Sequence, residues 1–296
     1  MITDEGVIRD LNFLARTYDG VTDLLSKTKQ RLIALYPERP VEHDELIKNL
    51  ESLKGKKARE IEKFLQLWPL WNHWLEKVPG IGPFLGANLI LLYYYAFDPI
   101  CKKCGTALVK KESEKNGEEK KKKKKTEDGE EKVINTFYCV TCKKSVKGDG
   151  VLDHKIRIKD FPNISKWWAY LGVDEDENGK MRRSTPGAKS DSAKRINNWS
   201  RKGRTVSYLI GVAFIRAKGE YRTFFDFRRE RKERTHPDAT KTKKLNYSRH
   251  ETAKLFLSHM WVVARTLDGL SVTEPYVGKH LKHDIIPPYY WGPGTN

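Results

Sequence analysis

The sequence predicts a mainly α-helical protein that carries a small inserted β zinc ribbon, and three observations lead there. From Leu11 onward, Leu14, Tyr18, Val21, Leu25, Leu32 and Leu35 follow in alternating steps of three and four, with Thr28 as the one polar member. That is the heptad seam of a long helix. Further on, Val78-Pro79-Gly80-Ile81-Gly82-Pro83 turns the chain and runs straight into the apolar stretch Phe84 to Phe97, which reads as a helix-hairpin-helix. All four cysteines fall in two Cys-x-x-Cys pairs, Cys101/Cys104 and Cys139/Cys142, the spacing of knuckles that wrap a tetrahedral metal.

Composition sets the class of partner. The chain has 296 residues, enough for a real core in one large or several small domains. Its 57 Lys and Arg against 39 Asp and Glu give a net charge of +18. No globular fold requires such an excess, and it points to a polyanion, with nucleic acid as the default partner. A membrane partner is not expected, because no apolar run approaches eighteen residues and Asn88 interrupts the longest one. The start, Met1-Ile2-Thr3-Asp4-Glu5-Gly6, has neither a basic segment nor a cleavable apolar one, so a cytoplasmic protein is expected, nucleoid-associated if prokaryotic. Paired cysteines at knuckle spacing suit a metal site in a reducing compartment better than a disulfide framework.

Residues 1–74 read as two helices. Pro37 and Pro40 end the first, and a second starts near Val41 and places Leu46, Leu50, Leu53, Ala58, Ile61 and Leu65 on one face until Pro69. The pair is either an intramolecular hairpin or a coiled coil that joins two copies into a homo-oligomer. Trp68, Trp71 and Trp74 share a helix side, and burial explains them better than base stacking. In the hairpin of residues 75–98, Gly80 and Gly82 supply the backbone angles of a tight turn. Pro83 suits the first helical position, and the amides left free there can meet a phosphate oxygen. A plain turn between core helices is the alternative.

Residues 99–150 are the inserted ribbon. The 34 residues between Cys104 and Cys139 make a long separation, most of it taken by Lys110 to Lys132, whose six lysines from Lys120 to Lys125 sit among Glu and Gly. Such a segment cannot bury enough apolar surface to fold, so 110–132 is expected to be a disordered loop. Four thiolates without a fifth ligand imply a closed, structural Zn site at Cys101, Cys104, Cys139 and Cys142. Metal binding worth on the order of 10 kcal/mol would hold a module with little core of its own. A redox pair is the weaker alternative.

Residues 151–270 return to core-forming composition. Asp160-Phe161-Pro162-Asn163 starts a helix that carries Ile164, Trp167, Trp168, Tyr170 and Leu171 and stops at Gly172. Between Lys180 and Arg204 lie nine basic residues and one acidic one. Arg182, Arg183, Lys189, Lys194, Arg195, Arg201, Lys202 and Arg204, with Gly80 and Gly82, are the candidate nucleic-acid contacts. Ser184, Thr185, Ser190, Ser192 and Ser200 are interleaved with them, so the loop can hold phosphates or present a serine to a phosphodiester. Helices follow over Val206 to Arg216, Tyr221 to Arg234 (strongly basic) and about Ser248 to Leu267, with a polar loop His236 to Lys244 between the last two. The tail, 271–296, contains His280, His283, Pro287, Pro288, Tyr289, Tyr290 and Trp291 and is expected to dock as an extended arm.

The order of these pieces resembles the C-terminal transposase domain of the bridge-RNA-guided, serine-dependent insertion-sequence transposases, relatives of the Piv-type DNA invertases. The resemblance rests on Val78-Pro79-Gly80-Ile81-Gly82, Asp160-Phe161, Trp168-Ala169-Tyr170-Leu171-Gly172-Val173, Arg182-Arg183-Ser184-Thr185-Pro186-Gly187 and Asn198-Trp199-Ser200-Arg201-Lys202-Gly203, together with Tyr221-Arg222 and the helix around Ala253-Lys254. It implies DNA as partner, a guide RNA, and a serine that attacks DNA to form a phosphoserine link, with Ser184 the best match and Ser190 the reserve. Arg182, Arg183 or Arg204 would steady the phosphorane charge. The chain departs from the family in three ways. Its first 75 residues show no RuvC-like domain, so no acidic tetrad carries over; Ser184-Thr185 stands where the family has Ser-Gly; and the ribbon is an insertion. Two functions follow from this, a serine-dependent transposase or recombinase, and a non-catalytic DNA- or RNA-binding protein derived from one.

Overall fold

The computed structural model describes residues 1–38, 44–110, 136–147, 153–175, 199–273 and 285–292. Among them the chain is mainly helical and divides into two compact units, one of Met1–Tyr94 with Asp160–Asn296 and one of Tyr95–Lys159.

The first unit begins with α1 (Glu5–Leu35), capped where Asp4 Oδ1 accepts the amides of Gly6 at 2.8 Å and Val7 at 3.2 Å. α1 packs against α2 (Glu45–Leu65) within one chain. Leu25, Leu32, Ile47 and Leu50 form a small cluster between them, and Lys29 pairs with Glu51 at 2.6 Å. The heptad seam therefore closes on the chain's own second helix over most of its length; its last member, Leu35, is 70 % exposed. The second helix begins at Glu45, where Asp44 accepts the Leu46 amide at 3.0 Å, whereas the expected start near Val41 lies outside the described residues. Its inner face also differs from the expected one. Ile47 is buried, while Leu46 and Leu53 are exposed, because packing on α1 and α4 selects one of two adjacent apolar residues.

α3 (Pro69–His73) and one 3-10 turn (Leu75–Lys77) carry Trp68, Trp71 and Trp74 into the core, all at most 2 % exposed. α4 (Pro83–Tyr94) is buried from Gly86 onward and packs on α1, α2 and α6. Asn88 Nδ2 donates to the Phe84 carbonyl at 2.8 Å, while its Oδ1 is buried with no partner among the described residues. α5 (Ile164–Leu171) is capped by Asn163, which accepts from the Lys166 amide at 3.0 Å, and stops at Gly172, whose φ is +68°.

α6 (Arg201–Arg216), α7 (Glu220–Thr235) and α8 (Lys241–Leu267) complete the unit. α8 starts two turns before the expected Ser248, because Thr240 Oγ1 accepts the Lys243 amide at 3.3 Å and begins the helix inside the expected polar loop. Aromatic contacts tie these helices together: Phe214 stacks on Tyr221 at 4.5 Å and meets Phe256 edge to face at 5.2 Å, and Phe256 stacks on Trp74 at 5.3 Å. The described part of the tail, 285–292, is docked. Tyr289 accepts from Trp74 Nε1 at 2.7 Å, and the Tyr290 hydroxyl accepts the Glu220 amide at 2.9 Å. His280 and His283 lie outside the described residues.

The second unit holds all five strands seen among the described residues. β1 (Tyr95–Ile100) pairs antiparallel with β5 (Asp153–Ile158), and β2 (Val109–Lys110), β3 (Thr136–Cys139) and β4 (Lys144–Lys147) form an antiparallel sheet in that order. Lys110 belongs to β2; the remainder of the expected 110–132 loop lies outside the described residues.

Candidate metal centre and nucleic-acid interface

Two knuckles of one shape build a cluster that could hold a metal ion. In the first, Gly105 donates its amide to the Cys101 carbonyl at 2.7 Å and sits at φ +70°; in the second, Lys143 takes the corresponding place after Cys142 at φ +49°. Each left-handed residue reverses the chain just past a cysteine, so both sulfurs of a pair face the same point. Cys101 Sγ lies 3.9 Å from Cys142 Sγ, Cys104 Sγ lies 3.4 Å from Cys139 Sγ, and all four sulfurs fall within 4.8 Å of one another.

These distances exclude disulfides, whose sulfurs are bonded at about 2.05 Å, and all four thiols are free. They bracket the edge of about 3.8 Å that a tetrahedron of metal–sulfur bonds near 2.3 Å requires. Around the sulfurs, Cys142 N donates to Cys139 Sγ at 3.4 Å, and Thr106 Oγ1 lies 3.3 Å from Cys104 Sγ and 3.0 Å from Thr141 Oγ1. The Thr106 hydroxyl is the main cause that lowers the Cys104 pKa to about 6, and amides of Cys104 and Lys103 lower that of Cys101. Cys142 is pushed up to about 12, first by its hydrogen bond with the Cys104 sulfur and then by burial. Cys139 is also raised, and a cation among the sulfurs would favour the thiolate form of both, so the donor set fits a metal ion. The sequence showed the cysteines; Thr106 and Thr141, each next to a knuckle cysteine or one residue away, carried no signal that separated them from ordinary polar residues.

The hairpin turn belongs to the first unit. Gly80 has φ +98°, and a Cβ there would come within 3.2 Å of Ala217 Cβ and 3.4 Å of the Ala213 carbonyl. Gly80 thus fits the turn against the C-terminal half of α6, while Gly82 faces open space. Both glycines are exposed.

The basic loop is described only at its C-terminal end. Arg182, Arg183, Ser184, Lys189, Ser190, Lys194 and Arg195 lie outside the described residues. Arg201 and Lys202 are exposed in the first turn of α6, and Arg204 stands 5.0 Å over the Trp199 ring. The two ends that flank this segment interlock. The Ser200 amide donates to the Tyr170 carbonyl at 2.8 Å, Ser200 Oγ caps α6 by accepting the Gly203 amide at 3.0 Å, and Trp199 lies so close to Gly172 that a Cβ would sit 2.6 Å from its ring. Glycine is therefore required at 172 twice over, by its backbone angle and by the indole above it. Glu175, where the described chain pauses, binds Lys254 at 3.0 Å and lies 3.9 Å from His250.

Comparison with protein-family models matches none of them, and a search of curated proteins finds no match. Among the described residues no helix is long and apolar enough to cross a membrane. A shallow depression between α1 and α2, lined by Phe13, Leu14, Lys63 and Phe64, offers about 210 Å³, less than the ~300 Å³ at which small-molecule pockets begin.

Proposed function

We propose that this is a nucleic-acid-binding protein of transposase or recombinase ancestry whose Tyr95–Lys159 unit is held by structural zinc. The observation that carries the reading is the charge: +18 over the chain, with Arg201, Lys202, Arg231, Arg234, Lys241 and Lys243 exposed on α6, α7 and α8. Cations left in water without need of a fold are suited to phosphates. The turn at Gly80 to Gly82 acts as a helix-hairpin-helix, gripping backbone rather than reading bases. Zinc is the metal that four thiolates without a further ligand select.

Binding to a labelled DNA, followed by anisotropy as salt is raised, tests this. Several phosphate contacts predict an affinity loss of about a hundredfold or more between ~50 and ~200 mM salt. A flat response would remove the phosphate-dominated interface.

A second reading, strand exchange through a phosphoserine link at Ser184, is favoured by one observation. Tyr170 to Gly172 and Trp199 to Gly203, two of the motifs that carry the family resemblance, dock on each other on either side of the segment that contains Ser184. Supercoiled or branched DNA, with and without co-purified RNA, should then yield a covalent protein–DNA adduct that Ser184→Ala abolishes. No adduct under any condition leaves the non-catalytic binder.

A further inference from the structure

Four of the first unit's cation–aromatic pairs link residues of α5, α6, α7, α8 and the turn before α6. Lys254 of α8 lies 4.5 Å over Trp168 of α5. Arg204 of α6 lies 5.0 Å over Trp199, Arg249 of α8 lies 3.9 Å over Tyr208 of α6, and Lys232 of α7 lies 3.8 Å over Tyr247 of α8. They are connected. Arg204 and Tyr208 are one turn apart on α6, and His250, next to Arg249, feels the charges of Arg204, Lys254 and Glu175. Tyr247 shares Glu251 with Arg228.

These rings are not core. Tyr208 is 52 % exposed and Tyr247 is 36 % exposed, and both tryptophans are only half-buried. Of the nearby carboxylates, Glu175 pairs with Lys254, Glu251 with Arg228, and Asp174 acts on Arg204; against these three, Lys254, Arg204, Arg249, Lys232 and Arg228 keep the face cationic. Two nitrogens in it, Trp168 Nε1 and His250 Nε2, are buried with no hydrogen-bond partner among the described residues.

We infer that this α5–α6–α8–α7 face is a stacking platform for single-stranded nucleic acid. The inference rests on the nucleic-acid reading above and narrows its substrate class to unpaired strands. The exposed rings of Tyr208 and Tyr247, each with a cation fixed on one side, offer the other side to a base, and the cation's charge holds the adjoining phosphate. Unpaired bases have free faces to stack; in a duplex those faces are already occupied by their neighbours.

The test uses the full, metal-loaded chain with labelled oligonucleotides of about twenty nucleotides, as oligo-dT, oligo-U and a duplex. Tyr208→Ala and Tyr247→Ala should each lower single-strand affinity roughly tenfold and leave duplex affinity unchanged. Tyr208→Phe, which keeps the ring, should retain wild-type affinity, which separates stacking from a folding defect. The salt slope should stay as in the wild type, because no charge is removed. Comparison of the two single strands tells whether a deoxyribose or ribose strand is preferred. Tight duplex binding with no loss in either alanine variant overturns the platform and leaves nucleic-acid binding standing; no binding to any of the three probes overturns both.

Discussion

His259 is 2 % exposed, between Tyr221 and the docked tail. The Ile286 carbonyl 3.0 Å from Nε2 can only accept, so Nε2 carries the proton and Nδ1 accepts from the Tyr221 hydroxyl at 2.8 Å. Protonating Nδ1 would oppose that bond, and burial lowers the pKa to about 4. The folded pKa lies below the unfolded value of about 6.5, so the unfolded chain binds the proton first and stability falls as pH drops through that window. The expected loss is about 3 kcal/mol by pH 4 relative to pH 7. Denaturant melts at both pH values should show a smaller loss in His259→Gln; equal losses would refute the assignment. A buried neutral histidine is invisible in the sequence, where it reads as one more polar residue of a helix. Its partners come from α7 and the tail.

At the scale of elements, the turn at Val78 to Pro83 has two glycines with different burdens. Gly80 is held by its positive φ and by α6, whereas a side chain at Gly82 meets nothing within 4 Å. Gly82→Val should therefore fold like the wild type, and if the turn grips a phosphate the added bulk should weaken DNA binding by about tenfold, on the order of one charged hydrogen bond. Equal melting and equal binding would reduce the segment to a plain turn. The sequence made the turn legible through Pro and Gly, whose backbone preferences are local. The inner face of α2 was less legible, because Leu46 and Ile47 are equally apolar and only the position of α1 and α4 decides which is enclosed. The first turns of α8 were missed because Lys241 to Asn246 hold a single apolar residue, Leu245, and Thr240 starts the helix without an apolar stripe.

For the whole molecule, the two units differ in what holds them. The first has an aromatic core built around Trp74, Trp167, Phe214, Phe256 and Trp261. The second has a cluster of Cys101, Leu108, Cys139, Phe137 and Cys142, of which three members are metal-ligand candidates. Protein purified without chelator should hold close to one zinc per chain. Chelation, or acid that protonates the thiolates, should open Tyr95–Lys159 to protease while the helical signal of the first unit persists. Substoichiometric zinc, or resistance of that segment after chelation, would count against a metal-held unit. The sequence by itself determined the basic charge, the cysteine pairs, the helical character and the Pro-Gly turn, because each is a property of composition or of residues within a few positions of one another. The tertiary structure alone decided that Trp199 closes over Gly172, that the tail seals His259, and that Trp168, Trp199, Tyr208 and Tyr247 each meet a cation. Most of those contacts join residues far apart in the chain, and no local spacing encodes which helix face will lie against which.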